Sequence, residues 1–258
     1  MIRSTVTRAF RTPVPKPARR RHRAGAFVVV VSLVSGLSSC GGSVQGESAS
    51  QILTNAVAAA RDSGSFHFVD KEGSGSRARL LAGDAGTSAA QQTSSGGGEH
   101  LAVSLVHGVA YVQASSSTLK TFFGLSATLA TQESGKWLSV TKGQKNYGQI
   151  VGSLAPDAEF DAYIPQTGLV IGRDTVLHGI PVIPVSGTAP ATDSSTGLPA
   201  VATLFVAIRA PHLPVGGVVS GTDVHGRKQR EEVVFTKWDE HLHLNAPADT
   251  VNIASVIG

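Results

Sequence analysis

Leu101-Ala102-Val103-Ser104-Leu105-Val106-His107-Gly108-Val109-Ala110-Tyr111-Val112-Gln113 decides the architecture of this chain. Two apolar runs rich in β-branched residues flank one His-Gly dipeptide. A two-residue hairpin turn needs positive φ, which glycine supplies freely and histidine tolerates better than most residues. The stretch therefore reads as two antiparallel strands and a tight turn, and its histidine as a turn residue rather than a ligand or base. The pattern recurs. His178-Gly179 separates 175–177 from 180–185, and His225-Gly226 lies between 215–224 and 231–238, with Arg227, Lys228, Gln229 and Arg230 extending that third loop.

Further strands are predicted at 66–69, with Phe66 and Phe68 on one face, and at 78–81, 87–93 and 100–105, with 94–98 as a loop. Residues 201–208 are apolar on both faces, with Leu204, Val206 and Ile208 on one side; Val233-Val234-Phe235 is similar. Such a pattern suits a strand buried on both sides, in a sandwich or under helices, and equally a curved sheet with an apolar hollow on one face. Pro181 and Pro184 have opposite parity, which predicts an edge or bulged strand. Residues 50–61 form a helix with Leu53, Val57 and Ala60 on one face and Ile52 and Ala56 beside them. Ser48 or Ser50 caps its start and Gly64 closes it. A helix or helix-loop is expected over 118–131. Two short helices, broken near Pro156, are expected over 145–164, and Trp137 opens a short strand between these stretches. Helices inserted in a strand meander must lie against one face of the sheet. Residues 189–198 read as a Pro/Ser/Thr-rich surface loop.

The N-terminal end carries a different signal. A basic cluster, Arg19-Arg20-Arg21-His22-Arg23, precedes an apolar run from Ala24 to Gly36 and then Leu37-Ser38-Ser39-Cys40. Positive flank, short apolar segment and small residues before a cut site make an export signal. The run is well short of the ~20 residues that a spanning helix needs. Cys40 is the chain's single cysteine, so an exported form has no second thiol with which to make a disulfide. Removing 1–39 takes away eight basic residues and no acidic ones, which turns a formal charge of +4 into 14 basic against 18 acidic residues. No basic stripe remains for nucleic acid. Residues 40–49 read as a flexible tether and 50–258 as one folded domain.

Catalytic motifs are absent from the sequence: there is no Gly-x-Ser-x-Gly elbow and no phosphate-binding loop, and one cysteine permits no Cys-x-x-Cys. The best metal candidate is Asp239-Glu240-His241-Leu242-His243, where His241 and His243 share a face if the segment is a strand; a solvated strand end is the plainer reading. Asp157, Glu159 and Asp161 read as a polar helix face. No cofactor, metal or catalytic residue is expected, and the chain is expected not to be an enzyme.

Leu37-Ser38-Ser39-Cys40 resembles the lipobox of bacterial lipoproteins, which implies diacylglycerol on the Cys40 sulfur and cleavage before it. Four further segments resemble the LppX/LprAFG lipoproteins of actinobacteria. They are Ile52-Leu53 to Gly64-Ser65-Phe66-His67, Gly108-Val109-Ala110-Tyr111-Val112, Arg173-Asp174-Thr175-Val176 to Gly187-Thr188, and Thr236-Lys237-Trp238-Asp239-Glu240 with Leu244-Asn245-Ala246-Pro247. Together they span most of 50–250; the 189–198 loop and the glycine-rich 94–98 linker depart from the family's pattern.

The resemblance implies an α+β fold: a curved antiparallel half-open β-barrel with helices over its concave face, similar to the LolA/LolB carriers. It implies a monomer anchored on the extracytoplasmic side of the cell membrane through acylated Cys40. Such a protein holds an acyl lipid or glycolipid in an apolar cavity, with a membrane lipid transporter as a further partner. The lining residues expected from the sheet are Val103, Leu105, Tyr111, Leu204, Val206, Ile208, Val233 and Phe235. Those from the helices are Phe122, Phe123, Leu125, Ile150, Leu154 and Phe160. Lining and core share a composition, so two other readings stay open: an envelope interaction or scaffold lipoprotein with a solid core, and, behind it, a lipid hydrolase.

Overall fold

The computed structural model describes residues 46–73, 78–190, 200–222 and 226–257. The expected signal segment, Cys40, most of the tether, most of the 189–198 loop and His225 lie outside the described residues. The chain opens with helix α1 (Ala49–Ser63). Ser48 caps it through a reciprocal box with Gln51, and Gly64, at φ 71°, turns the chain out of it. Strands β1 (Ser65–Glu72), β2 (Arg79–Gly86), β3 (Ala90–Gly96), β4 (Glu99–Val106) and β5 (Val109–Ala114) follow. Helices α2 (Ser116–Phe123) and α3 (Ala127–Glu133) lead to β6 (Trp137–Val140). Next come α4 (Tyr147–Ser153), α5 (Pro156–Phe160) and a 3-10 turn (Asp161–Tyr163). Strands β7 (Val170–Ile171), β8 (Thr175–Leu177), β9 (Ile180–Thr188), β10 (Val201–Ala207), β11 (Pro214–Thr222) and β12 (Lys228–Thr236) precede β13 (Val251–Asn252) and α6 (Ile253–Ile257).

The thirteen strands make one open sheet in the order β13-β6-β5-β4-β3-β2-β1-β12-β11-β10-β9-β7, with β8 also on β9. Every pair is antiparallel except β13 on β6. The fold class is therefore α+β, with a mostly antiparallel sheet. His107 (φ 49°) with Gly108 (φ 76°), and His178 (φ 50°) with Gly179 (φ 80°), form the two expected turns, both central residues having positive φ.

Three local expectations are corrected. Residues 94–96 are strand, since Ser94, Ser95 and Gly96 pair with Leu101, His100 and Glu99; only Gly97-Gly98 turn the chain. Residues 228–230 are also strand, pairing with 220–222. The third explanation concerns Pro181 and Pro184, whose strand β9 is neither an edge nor bulged. Pro181 faces β10 just beyond the last ladder pair, Val182 with Ala207, and its carbonyl accepts from Ile208. Pro184 faces the outer side, where β8 stops at Val182 and β7 begins at Val185. Splitting the outer neighbour in two removes the need for a proline N–H.

Candidate functional site

Residues directly opposite each other across paired strands share a face. The registers therefore generate rows across the sheet. One row runs Gly217, Val233, Asp70, Leu81, Ser94, Leu101, Ala114. The next runs Phe235, Phe68, Gly83, Gln92, Val103, Val112, Leu138. Both rows lie on the side that carries the helices.

Two buried apolar clusters occupy this helix face. One contains Val103, Leu105, Phe123, Leu125, Ile150 and Leu154, with Phe122 packed against it. The other contains Phe160, Leu204, Val206, Val233 and Phe235, with Ile208 packed against it. Tyr111 stands apart. It pairs with Ser104, one residue out of phase with Val103, and so points to the opposite face and belongs to neither cluster. Its neighbours Ala110 and Val112 take the inward positions.

The second cluster also holds residues that the sequence reading passed over. Tyr163 and Trp238 join Phe66 and Phe160 around Phe235, with ring centroids 5.4 Å (Phe66), 5.6 Å (Phe160), 5.9 Å (Trp238) and 6.2 Å (Tyr163) from it. Helix α1 adds Ile52, Leu53, Ala56 and Ala60. The 3.6-residue spacing of α1 and the Phe66/Phe68 alternation carried that signal; nothing local marks Tyr163 or Trp238.

The clusters meet along β2 and β3. There the helix-face positions are Leu81, Gly83 and Ala85 on one strand and Ala90, Gln92 and Ser94 on the other. Small residues dominate this seam. At Gly83 the partner strand comes so close that an added Cβ would overlap the Gln91 carbonyl oxygen. At the seam's end a small pocket, partly open to solvent, is lined by residues that include Arg79, Ser94, Glu99, Leu101, Ser117 and Thr121. Glu99 accepts hydrogen bonds from Ser115 (2.5 Å), Ser117 (2.6 and 2.7 Å) and Thr118 (3.1 Å) at the start of α2. The Ser115 and Ser117 hydrogen bonds hold its carboxyl below the usual range, with Thr118 and the Arg79 charge adding to them against burial.

Elsewhere the polar groups have structural roles. Asp157 and Asp161 both pair with Arg61 of α1, at 3.5 and 3.1 Å, so they tie α5 and the 3-10 turn to the first helix. Glu159 departs from the expected polar face: it is buried, only 8% exposed. Residues 239–243 are not a strand, so no pleat aligns His241 with His243. Among the described residues no three His, Cys, Asp or Glu side chains gather where they could hold a metal ion. Nor is any described helix long and apolar enough to cross a membrane.

No family model matches the sequence, and no curated protein matches it significantly. Solved structures do. The crystal structure of LprF from Mycobacterium bovis is 16% identical, with a TM-score of 0.51 over 80% of this chain and 100% of that one. The Mycobacterium tuberculosis lipoprotein LppX is 15% identical, with a TM-score of 0.47 over 77% of this chain and 100% of that one. At this identity the likeness to LprF speaks for the fold alone, and the chain has an LprF-type lipoprotein fold.

Proposed function

We propose that this protein is an extracytoplasmic lipoprotein, anchored through acylated Cys40, that binds an acyl lipid or glycolipid between its sheet and its helices. It would carry or present that lipid within the cell envelope. In this reading the open sheet is a half-open barrel whose helix face is concave. The observation that supports it is the seam: two separate apolar clusters part along a line of mostly small residues, Gly83, Ala85, Ala90 and Ser94, with Leu81 and the buried Gln92 among them. An acyl chain lying there gains contact with apolar side chains on both flanks. Moving a chain from bilayer to water costs roughly 0.8 kcal/mol per methylene. An apolar slot removes most of that cost, so transfer between membrane and protein becomes nearly neutral and reversible without covalent chemistry.

The interior as described is filled. Tyr163, Phe160, Phe235, Leu119 and Ile150 are among its fully buried side chains. Lipid entry therefore requires the short helices α2 to α5 to move off the sheet. Gly124 (φ 73°), which closes α2, and Pro156, which starts α5, are the breaks about which they would pivot. The same filled interior favours a second reading, an envelope interaction module with a solid core.

The test is purification from the host that makes the protein, followed by lipid extraction and mass spectrometry. A lipid that copurifies in stoichiometric amount is the expected result. Its absence, with cross-linking to a protein partner instead, rejects the carrier in favour of the interaction module.

A further inference from the structure

One edge of the sheet carries exposed apolar side chains. Val170 and Ile171 on β7, Val176 on β8 and Ile180 on β9 are all exposed, and no strand among the described residues pairs with β7 or β8 from outside. Ile171 and Val176 lie on the helix face, opposite Val185 and Pro181, whereas Val170 lies on the other face, opposite Ser186. The edge is therefore apolar on both sides. Natural sheet edges are commonly guarded by lysines and other charges. Here residues 164–190 contain only Arg173 and Asp174 as charged residues. Exposed apolar side chains gathered in this way mark a contact with another molecule or a membrane.

The first helix points to what covers this edge. Helix α1 ends next to β1 and packs on β11, β10 and β9. Its length is about 22 Å at the usual rise per residue. From β1 to β9 is about 19 Å at the usual strand spacing. The helix thus crosses the strands, and its N-terminal end lies on the β9 side, with Ala49 packed against the second cluster. The stretch from Cys40 to Ala49 can span at most about 30 Å. An acyl anchor on Cys40 therefore holds the bilayer close to the end of the molecule that bears the apolar edge. Charge agrees with this placement. Arg173 lies between β7 and β8, and Arg209 follows Ile208, whose N–H donates to the Pro181 carbonyl. Both arginines are exposed, and two guanidinium groups against the one carboxylate of Asp174 suit lipid phosphates.

We infer that the β7–β9 edge docks onto the surface of the bilayer that holds the acyl anchor. Val170, Ile171, Val176 and Ile180 enter the boundary between head groups and acyl chains, and Arg173 and Arg209 meet phosphate oxygens. The unpaired backbone groups of the edge keep the contact at head-group depth, where water and polar lipid atoms satisfy them. The anchor supplies attachment and the edge sets orientation. Once the chain is tethered the contact is intramolecular, so a patch too weak to hold a free chain is sufficient. The inference rests on the anchor proposed above and adds to it a surface of the folded domain.

Fluorescence quenching on vesicles tests it. The full acylated chain is reconstituted in vesicles of phosphatidylcholine and phosphatidylglycerol, with brominated acyl chains as the quencher. Acylation occupies the Cys40 sulfur, so Val176→Cys and Lys142→Cys each supply one thiol for a dye. Lys142 is exposed and follows β6, towards the opposite end of the sheet. Loss of fluorescence at position 176 and not at 142 is the expected result, and adding Val170→Asp and Ile180→Asp to the 176 label should abolish that loss. Quenching that is equal at the two positions, greater at 142 or absent from both overturns the docked edge and leaves the anchor standing. Quenching at 176 that survives both aspartates overturns apolar contact as its cause. Disulfide linkage between two Val176→Cys copies without quenching makes a second copy the occupant and overturns the membrane assignment. A mass showing no acyl group on Cys40 overturns the anchor and this inference with it. The contrast between the two labels decides the matter even if the aspartate variant fails to fold.

Discussion

Gly217 lies directly against Tyr163: a Cβ built at position 217 would stand 2.8 Å from both Cβ and Cδ1 of the tyrosine. Tyr163 is fully buried, and its hydroxyl donates to Glu231 at 2.8 Å. The 3-10 turn is thereby fastened to β11 and β12. Because the tyrosine's near atoms include its own Cβ, the ring cannot swing away without moving backbone. Gly217→Ala should therefore destabilise the protein by about 1–3 kcal/mol through overpacking. Tyr163→Phe, which loses only the hydrogen bond, should cost about 1 kcal/mol. Urea unfolding of both variants checks the order; an unchanged midpoint for Gly217→Ala would show that the turn yields freely.

Phe235 is the hub of the second cluster, in edge or tilted contact with Phe66, Phe160, Tyr163 and Trp238. Phe235→Ala should cost about 3–5 kcal/mol, the range for emptying a buried aromatic site. Val176, 65% exposed on the outer strand β8, is the control: its replacement by Ala should stay within about 0.5 kcal/mol. Equal effects at the two positions would mean that the aromatic group does not hold the fold.

Much of this scaffold was legible because a few positions admit few conformations. The His107-Gly108 and His178-Gly179 turns demanded positive φ, and Ser48 and Gly64 bounded α1 as capping chemistry requires. Strand β3 was harder. Ser94, Ser95 and Gly96 have loop composition, and only the ladder to β4 holds them extended. Tyr111 was misplaced because 109–112 is apolar at both parities, so alternation alone names no inward side. Strand β4 has the same ambiguity, since Ala102, Ser104 and Val106 are buried on the face opposite Val103 and Leu105. The pocket was illegible for a further reason. Arg79 and Glu99 are far apart in sequence, and two hairpin registers bring them to one rim.

Acid should weaken the fold through two carboxylates. Burial raises the pKa of Asp84, but the hydrogen bonds from Gln91 (2.8 Å) and His67 (2.7 Å), with the charges of His67 and Lys237, outweigh it and leave the group lowered. Glu99 is lowered as well, by its hydroxyl partners. A carboxyl whose pKa is lower in the folded state contributes stability above its unfolded value, about 4, and loses it as pH falls through the folded value. Stability should therefore be flat from pH 7 to about 5 and fall below about 4 from these two groups. Asp84→Asn and Glu99→Gln should each be less stable at pH 7 yet lose less on acidification. Urea midpoints across this range measure the slope, and an undiminished acid slope in both variants would assign it to other groups.

The proposed anchor makes a separate prediction, because it assigns membrane attachment and the folded sheet to different residues. Cleavage before Cys40 leaves a chain with four more acidic than basic residues. Such a chain is repelled rather than held by anionic lipid, so the proposed attachment is one by acyl chains. One chain gives only reversible binding, whereas two or more hold firmly. The unaltered protein should therefore stay in the membrane fraction through a high-salt wash, and its N-terminal peptide should carry the added mass of the acyl groups. Cys40→Ala should move the protein to the soluble fraction while its urea midpoint matches that of the unaltered chain. If Cys40→Ala remains with the membrane, the lipobox is not the anchor, and the exposed apolar side chains at the β7–β9 edge, Val170, Val176 and Ile180, become the next place to look.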